Sequence, residues 1–149
     1  MVFGHIGREM TDEEVDDVLR SAGHGLLSLA NQSIAYGIPM SYGYETDSRT
    51  FVMEFLFQTE SKKRTFLVET TEASMCVYQW EDRSDWHSVI ASGPMYRVDD
   101  DERIQEMATV LGEQCSDIAP WWLRFSSTRD RERAWYELDA TSLAGYCGD

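Results

Sequence analysis

"GLLSLANQSIAYGIPMSYGYETDSRTFVMEFLFQ", residues 25–58, decides the fold. Three apolar and aromatic runs, 25–30, 34–45 and 50–58, are separated by the turn-forming stretches NQS (31–33) and TDSR (46–49). Connections this short favour antiparallel hairpins over crossover units, because parallel pairing needs about a dozen or more intervening residues. Further strand-like runs follow: ASMCVYQW (73–80), then WHSVIASGPMYRV (86–98) after the polar loop EDRSD, with Gly93 and Pro94 at an expected bulge or bend. The closing RAWYELDATSLAGYCG (133–148) reads as one alternating run, preceded by PWWLRF and a charged STRDRER loop.

Helices are expected at the margins. TDEEVDDVLRSAG has capping-box spacing at Thr11 and Glu14, acidic residues suited to the positive end of the helix dipole, and a stripe of Val15, Val18, Leu19 and Ala22 ending at Gly23. SKKRTFLVETTEA (61–73) reads as a second helix with Phe66 and Leu67 inward. DDDERIQEMATVLGEQC forms another, with Ile104, Met107, Ala108, Val110 and Leu111 available for burial. The 149 residues therefore predict a single domain, mainly β (α+β), built as a small antiparallel barrel with a few peripheral helices.

Composition narrows the function classes. The chain carries 27 Asp and Glu against 13 Lys and Arg, a net charge of -14, and eleven of those cations are arginine. Such a field repels nucleic acid and anionic membranes. No run approaches the roughly eighteen apolar residues of a membrane span, and MVFGHIGREMTDEE lacks the basic flank and apolar stretch of a signal peptide. A cytoplasmic protein is expected. In molar salt the Debye length falls to about 3 Å and screens the self-repulsion of an acidic surface, so the excess predicts a halophilic cytoplasm; an acidic mesophilic protein fits the same composition. Cys76, Cys115 and Cys147 show no C-x-x-C spacing and are expected as buried free thiols, and His5, His24 and His87 are too scattered for a metal site.

Three segments could carry chemistry. In IAYGIPMSYG the strand period places Ile34, Tyr36, Ile38, Met40 and Tyr42 on one face and Ala35, Gly37, Pro39, Ser41 and Gly43 on the other. The second face is nearly bare, which suits a flat ring or, equally, a bulged edge strand packed under a helix. In FQTESKKRTF both lysines of the chain, Lys62 and Lys63, fall with Arg64 in the first turn of a helix, where cations oppose the dipole at about 0.3–1 kcal/mol each. A phosphate would compensate, bound by free N–H groups of the helix start with Thr59 and Ser61 hydroxyls; ion pairs with Glu60 and Glu69 are the plainer reading. In DWHSVIASG, Trp86 could stack on a ring or sit in the core, and no triad partner stands near His87.

Together the three resemble the pyridoxamine 5'-phosphate oxidase-like family of FMN-binding split β-barrels, over about residues 13–98. IPMSYGY is similar to the family's V-P-V-S-Y strand, FQTESKK to its F-H-x-x segment ending in a phosphate-binding lysine, and WHSVIASG to its W-R-S-V-x-x-x-G. The resemblance implies a six-stranded split barrel that forms a homodimer with FMN at the interface. It implies that Met40, Ser41 and Tyr42 line the isoalloxazine, that Phe57, Gln58 and Thr59 run beside the ribityl chain, and that Ser61, Lys63 and Lys62 hold the phosphate. Trp86 and Ser88 would come from the neighbouring strand, and Arg64 would face solvent. Gln58 stands where the family often has His, and His87 where Arg or Lys is usual. The C-terminal arginine and tryptophan signature for a vitamin phosphate is not clearly supplied, and no histidine follows His87 to serve as a haem ligand. The implied activity is hydride transfer between a small substrate and the flavin, with the cofactor carrying the chemistry and Tyr42 or His87 as candidate proton donors. A flavin-binding or sensing module without turnover, or an FMN-free structural dimer, is the alternative.

Overall fold

The computed structural model describes residues 7–57, 61–115 and 132–149, the side chain of Phe57 excepted. In chain order the elements are β1 (Arg8–Glu9), α1 (Asp12–Ala22), β2 (His24–Asn31), β3 (Ile34–Ser41), β4 (Gly43–Glu45), β5 (Thr50–Phe57), α2 (Lys62–Glu69), β6 (Glu72–Trp80), β7 (Trp86–Val98), α3 (Asp101–Gln114), β8 (Glu132–Asp139) and β9 (Ser142–Cys147). All strand pairings are antiparallel, in the order β3-β2-β6-β7-β8-β5-β4, with β9 pairing β7 and β1. This is a mainly β split barrel.

The described residues form nine strands where six were expected. The run 34–45 breaks at Tyr42 into β3 and β4, and the C-terminal run folds back at Ala140 and Thr141 into the β8–β9 hairpin. The two-residue β1 had no sequence signal. PWWLRF and most of STRDRER lie outside the described residues.

Strand β7 joins the two halves of the barrel. Up to Ser92 it lies between β6 and β9, and from Met95 it pairs with β8. The change of partner falls at Gly93 and Pro94, where the bend was expected. Inward residues of every long strand, among them Leu27, Leu29, Phe51, Met53, Phe55, Met75, Val77, Val89, Tyr136 and Leu138, form one core.

The helices close the barrel as their caps dictate. In α1 the capping box is complete: Glu14 N donates to Thr11 Oγ1 at 3.2 Å, and Thr11 N donates to Glu14 Oε1 at 3.1 Å. Arg8 donates to both Glu14 oxygens and, with the Thr11 backbone bond, holds that carboxyl down at about 2. Gly23 ends the helix in the left-handed region at φ 71°. Helix α2 starts at an Ser61 cap but stops at Glu69, short of the expected Ala73, because Thr70 turns the chain into β6. In α3, Met107 and Leu111 are buried and Ala108, expected inside, is exposed. Arg103 fastens this helix to the sheet by donating to Glu45 and Glu137. Gln114 pairs its side-chain amide with the backbone of Tyr44 at 2.7 and 2.8 Å, supplying the bonds that another strand would give this edge.

Tyr42 is a core residue. Its ring meets Phe51 edge-on, and its hydroxyl donates to Leu19 O at 2.8 Å, satisfying a carbonyl in the last turn of α1. Tyr42→Phe is expected to lower stability by about 1 kcal/mol, measured by denaturant unfolding. Of the thiols, Cys115 is buried, donating to Gly23 O and Tyr42 O, whereas Cys76 and Cys147 are only half-buried.

Candidate functional site

The strand order leaves β3 at one end of the path and β5 near the other, and no described residues pair the two. Between them lies a cleft of about 320 Å³, lined by Pro39, Met40 and Ser41 of β3, Glu54, Phe55 and Leu56 of β5, Lys63 of α2 and Leu111 of α3. The split in the barrel is thus the candidate site. Met40 and Ser41 point to opposite faces of β3 yet both reach the cleft, because the strand ends there.

Helix α2 sets the charge of one wall. Ser61 Oγ accepts from Arg64 N at 3.2 Å, and no acidic residue occupies the first turn. Its three cations go three ways. Lys62 places Nζ 5.0 Å from the centre of the Tyr36 ring and 5.8 Å from that of Phe66, a cation–π contact that keeps it at the barrel end. Arg64 does not simply face solvent: Nη1 meets Glu132 Oε2 of β8 at 2.5 Å. Lys63 lines the cleft and has no hydrogen bond or ion pair with any described residue, so the alternative, a surface pair with Glu69, does not form. An ammonium at a helix start, without a carboxylate beside it, is suited to a phosphate.

The other expected site residues divide. Gln58, Thr59 and Glu60 lie outside the described residues; Phe57 is placed by its backbone at the end of β5. Tyr42 cannot line the cleft with its side chain or donate a proton there, since its hydroxyl is committed to Leu19 and burial raises its proton affinity. Trp86 and Ser88 are not on a strand next to β3. They stand on β7, with β2 and β6 between, on the outward face of the sheet. Trp86 stacks on Trp80 at 6.2 Å, and with His87, Cys147 and Asp17 it lines a separate cleft beside α1. One chain therefore brings together Met40, Ser41 and Lys63, with Ser61 capping the same helix, and leaves Trp86 and Ser88 elsewhere.

Sequence reasoning missed Glu54. The signal was present: it is the sole charge in the strand TFVMEFLF, and a carboxylate flanked by apolar residues on both sides must find a partner or a purpose.

The outward face that carries Trp86 is unusually apolar. Leu26 of β2, Cys76, Tyr78 and Trp80 of β6, Ile90 of β7 and Tyr146 of β9 share it, with Tyr78 69% and Ile90 51% exposed. A third cleft, of about 430 Å³, runs over this face from His24 to Trp80 and shares Pro39 with the cleft between β3 and β5.

Fold and site together define a split-barrel protein with a cleft, lined by the Lys63 ammonium and the Glu54 carboxyl, between two strands that do not pair with each other. The family model described as pyridoxamine 5'-phosphate oxidase matches residues 11–146, and the chain belongs to that family. Among solved structures it is similar to an FAD-binding protein of Mesorhizobium loti, at 18% identity and TM-score 0.72, covering 93% of this chain and 95% of that one. It is also similar to the FAD binding protein of Mycobacterium smegmatis, at 17% identity and TM-score 0.69, over 95% and 100% of the two chains. An FAD and heme binding protein of the same organism matches at 15% identity and TM-score 0.66, over 93% and 72%. At these identities the likeness is one of fold. Comparison with curated protein sequences finds no match.

Proposed function

We propose that this protein is a homodimeric flavoprotein that holds FMN in the cleft between β3 and β5 and passes hydride between a small substrate and the flavin. The observation that carries the reading is the Lys63 ammonium in the cleft wall, which pairs with no carboxylate among the described residues and is one of only two lysines in a chain of net charge -14. The residues present fit the group. Lys63 and the free N–H groups of α2 suit its phosphate, with Ser61 and Lys62 beside them, and Pro39, Met40, Ser41 and Phe55 offer a flat, mostly apolar wall to its ring. The flavin, when bound, supplies the two-electron chemistry. The chain binds, orients and excludes water.

The apolar outward face supports the dimer. Contiguous exposed tyrosine, tryptophan, leucine and isoleucine are what a homodimer covers. Since that face adjoins the flavin cleft at Pro39, a partner copy seated on it would close the open side of the cleft, and Trp86 and Ser88 of that copy would complete the site that one chain leaves divided. FAD is the second reading, favoured by the FAD-binding proteins among the similar structures.

The test is titration of purified protein in molar salt with FMN and with FAD, followed by flavin absorbance and fluorescence, with light scattering on the same sample. A quenched, red-shifted flavin bound to a dimer is the expected result. A colourless protein that takes up neither rejects the reading, and a yellow one that no reductant system turns over leaves a sensing module.

A further inference from the structure

The cleft holds a second ionisable group for which the phosphate reading has no use. Glu54 stands on the outward side of β5, lining the cleft together with Met40, Ser41 and Lys63, and its side chain is 7% exposed. Its Oε1 is closed to solvent and accepts no hydrogen bond from the described residues. Arg133 of β8 brings Nη1 to 3.2 Å without hydrogen-bond alignment, and is itself 41% exposed, so water solvates much of its charge. Burial raises the proton affinity of Glu54, with Arg133 opposing. A buried acceptor left unmatched costs stability, and native chains carry few of them. Because the Glu54 side chain lines the cleft, a small rotation of its carboxyl would turn the shielded oxygen to a donor on a bound ligand.

We propose that Glu54 reads the bound ligand, its carboxyl accepting a hydrogen bond from a hydroxyl or N–H donor on the same molecule whose phosphate Lys63 holds. This rests on the flavin reading above. A flavin offers such donors in two places, the ribityl hydroxyls and the ring imide. Lys63 would thereby select for an anionic end and Glu54 for a donor-bearing body, a pairing that inorganic phosphate alone cannot satisfy.

The test compares wild type, E54L and E54Q as full chains in molar salt. Thermal unfolding without flavin is measured beside fluorescence titrations with FMN, riboflavin and lumiflavin. E54L removes the acceptor and the buried charge, so its flavin-free melting temperature should hold or rise while its FMN affinity falls about tenfold or more. E54Q keeps an acceptor oxygen and should stay within about threefold of wild type. A ribityl donor predicts that E54L weakens riboflavin equally and leaves lumiflavin unchanged; an imide donor predicts that all three weaken. Should E54L not fold, E54M provides an apolar side chain of similar length. Identical FMN affinity in wild type and the apolar variant overturns the inference and spares the flavin reading, as does a variant that only unfolds more easily. Wild type that binds no flavin overturns both.

Discussion

Gly93→Ala is expected to be the most damaging single substitution in the described barrel, lowering stability by about 3 kcal/mol or preventing folding outright. A Cβ built at this glycine would lie 1.8 Å from Asp139 O and 3.0 Å from Thr141 N, both backbone atoms of the β8–β9 corner. Backbone cannot rotate aside as a flexible side-chain tip does. The corner is itself fixed, since Thr141 N donates to Asp139 O at 2.9 Å and Ala140 N to Arg49 O at 3.0 Å. Relief would require β7 to move away from β8 or β9, and β7 is the strand through which the two halves of the sheet are joined. Denaturant unfolding against wild type measures the loss. A G93A protein of native midpoint would mean that the halves are not held together at this crossing.

The same crossing shows what can be read from residues in a row. Strand β7 was legible to its ends, 86–98, and so was its bend, because alternation and a Gly-Pro pair are local signals. The cap of α1 was legible for the same reason, since Thr11 and Glu14 act within three residues of themselves, whereas Ser61, which caps α2, was expected only as a phosphate donor. Local signals failed where a distant contact decides. Nothing in ELDATSL announces a turn by Gly or Pro, and the chain reverses there because Arg49 O and the bare surface of Gly93 receive Ala140 and Asp139. The period of two was carried past the end of β3 at Ser41 to Tyr42 and Gly43, and Tyr42 leaves the strand to meet Leu19 and Phe51. Met40, Ser41 and Lys63 line one cleft. The distance of Trp86 and Ser88 from them follows from strand order, which sequence spacing does not encode.

Lys63→Ala is expected to weaken FMN binding about tenfold to a hundredfold, the range for losing a charge-assisted hydrogen bond, while riboflavin, which has no phosphate, binds as before. Lys62→Ala should cost less, since its ammonium is turned toward the rings of Tyr36 and Phe66. Without ligand the balance reverses. Lys63 stands in the first turn of α2, with no carboxylate beside it among the described residues, so its removal should leave flavin-free stability unchanged or raise it by about 0.3–1 kcal/mol. A residue that does nothing for the empty fold and much for the loaded one is expected at a binding site, and Glu54 follows the same logic from the opposite sign of charge. Isothermal titration of wild type and K63A with FMN and riboflavin, beside thermal unfolding of both without flavin, separates these terms. Equal loss for the two ligands would place Lys63 under the ring rather than at the phosphate, and equal FMN affinity in K63A and wild type would remove the cation from the site altogether.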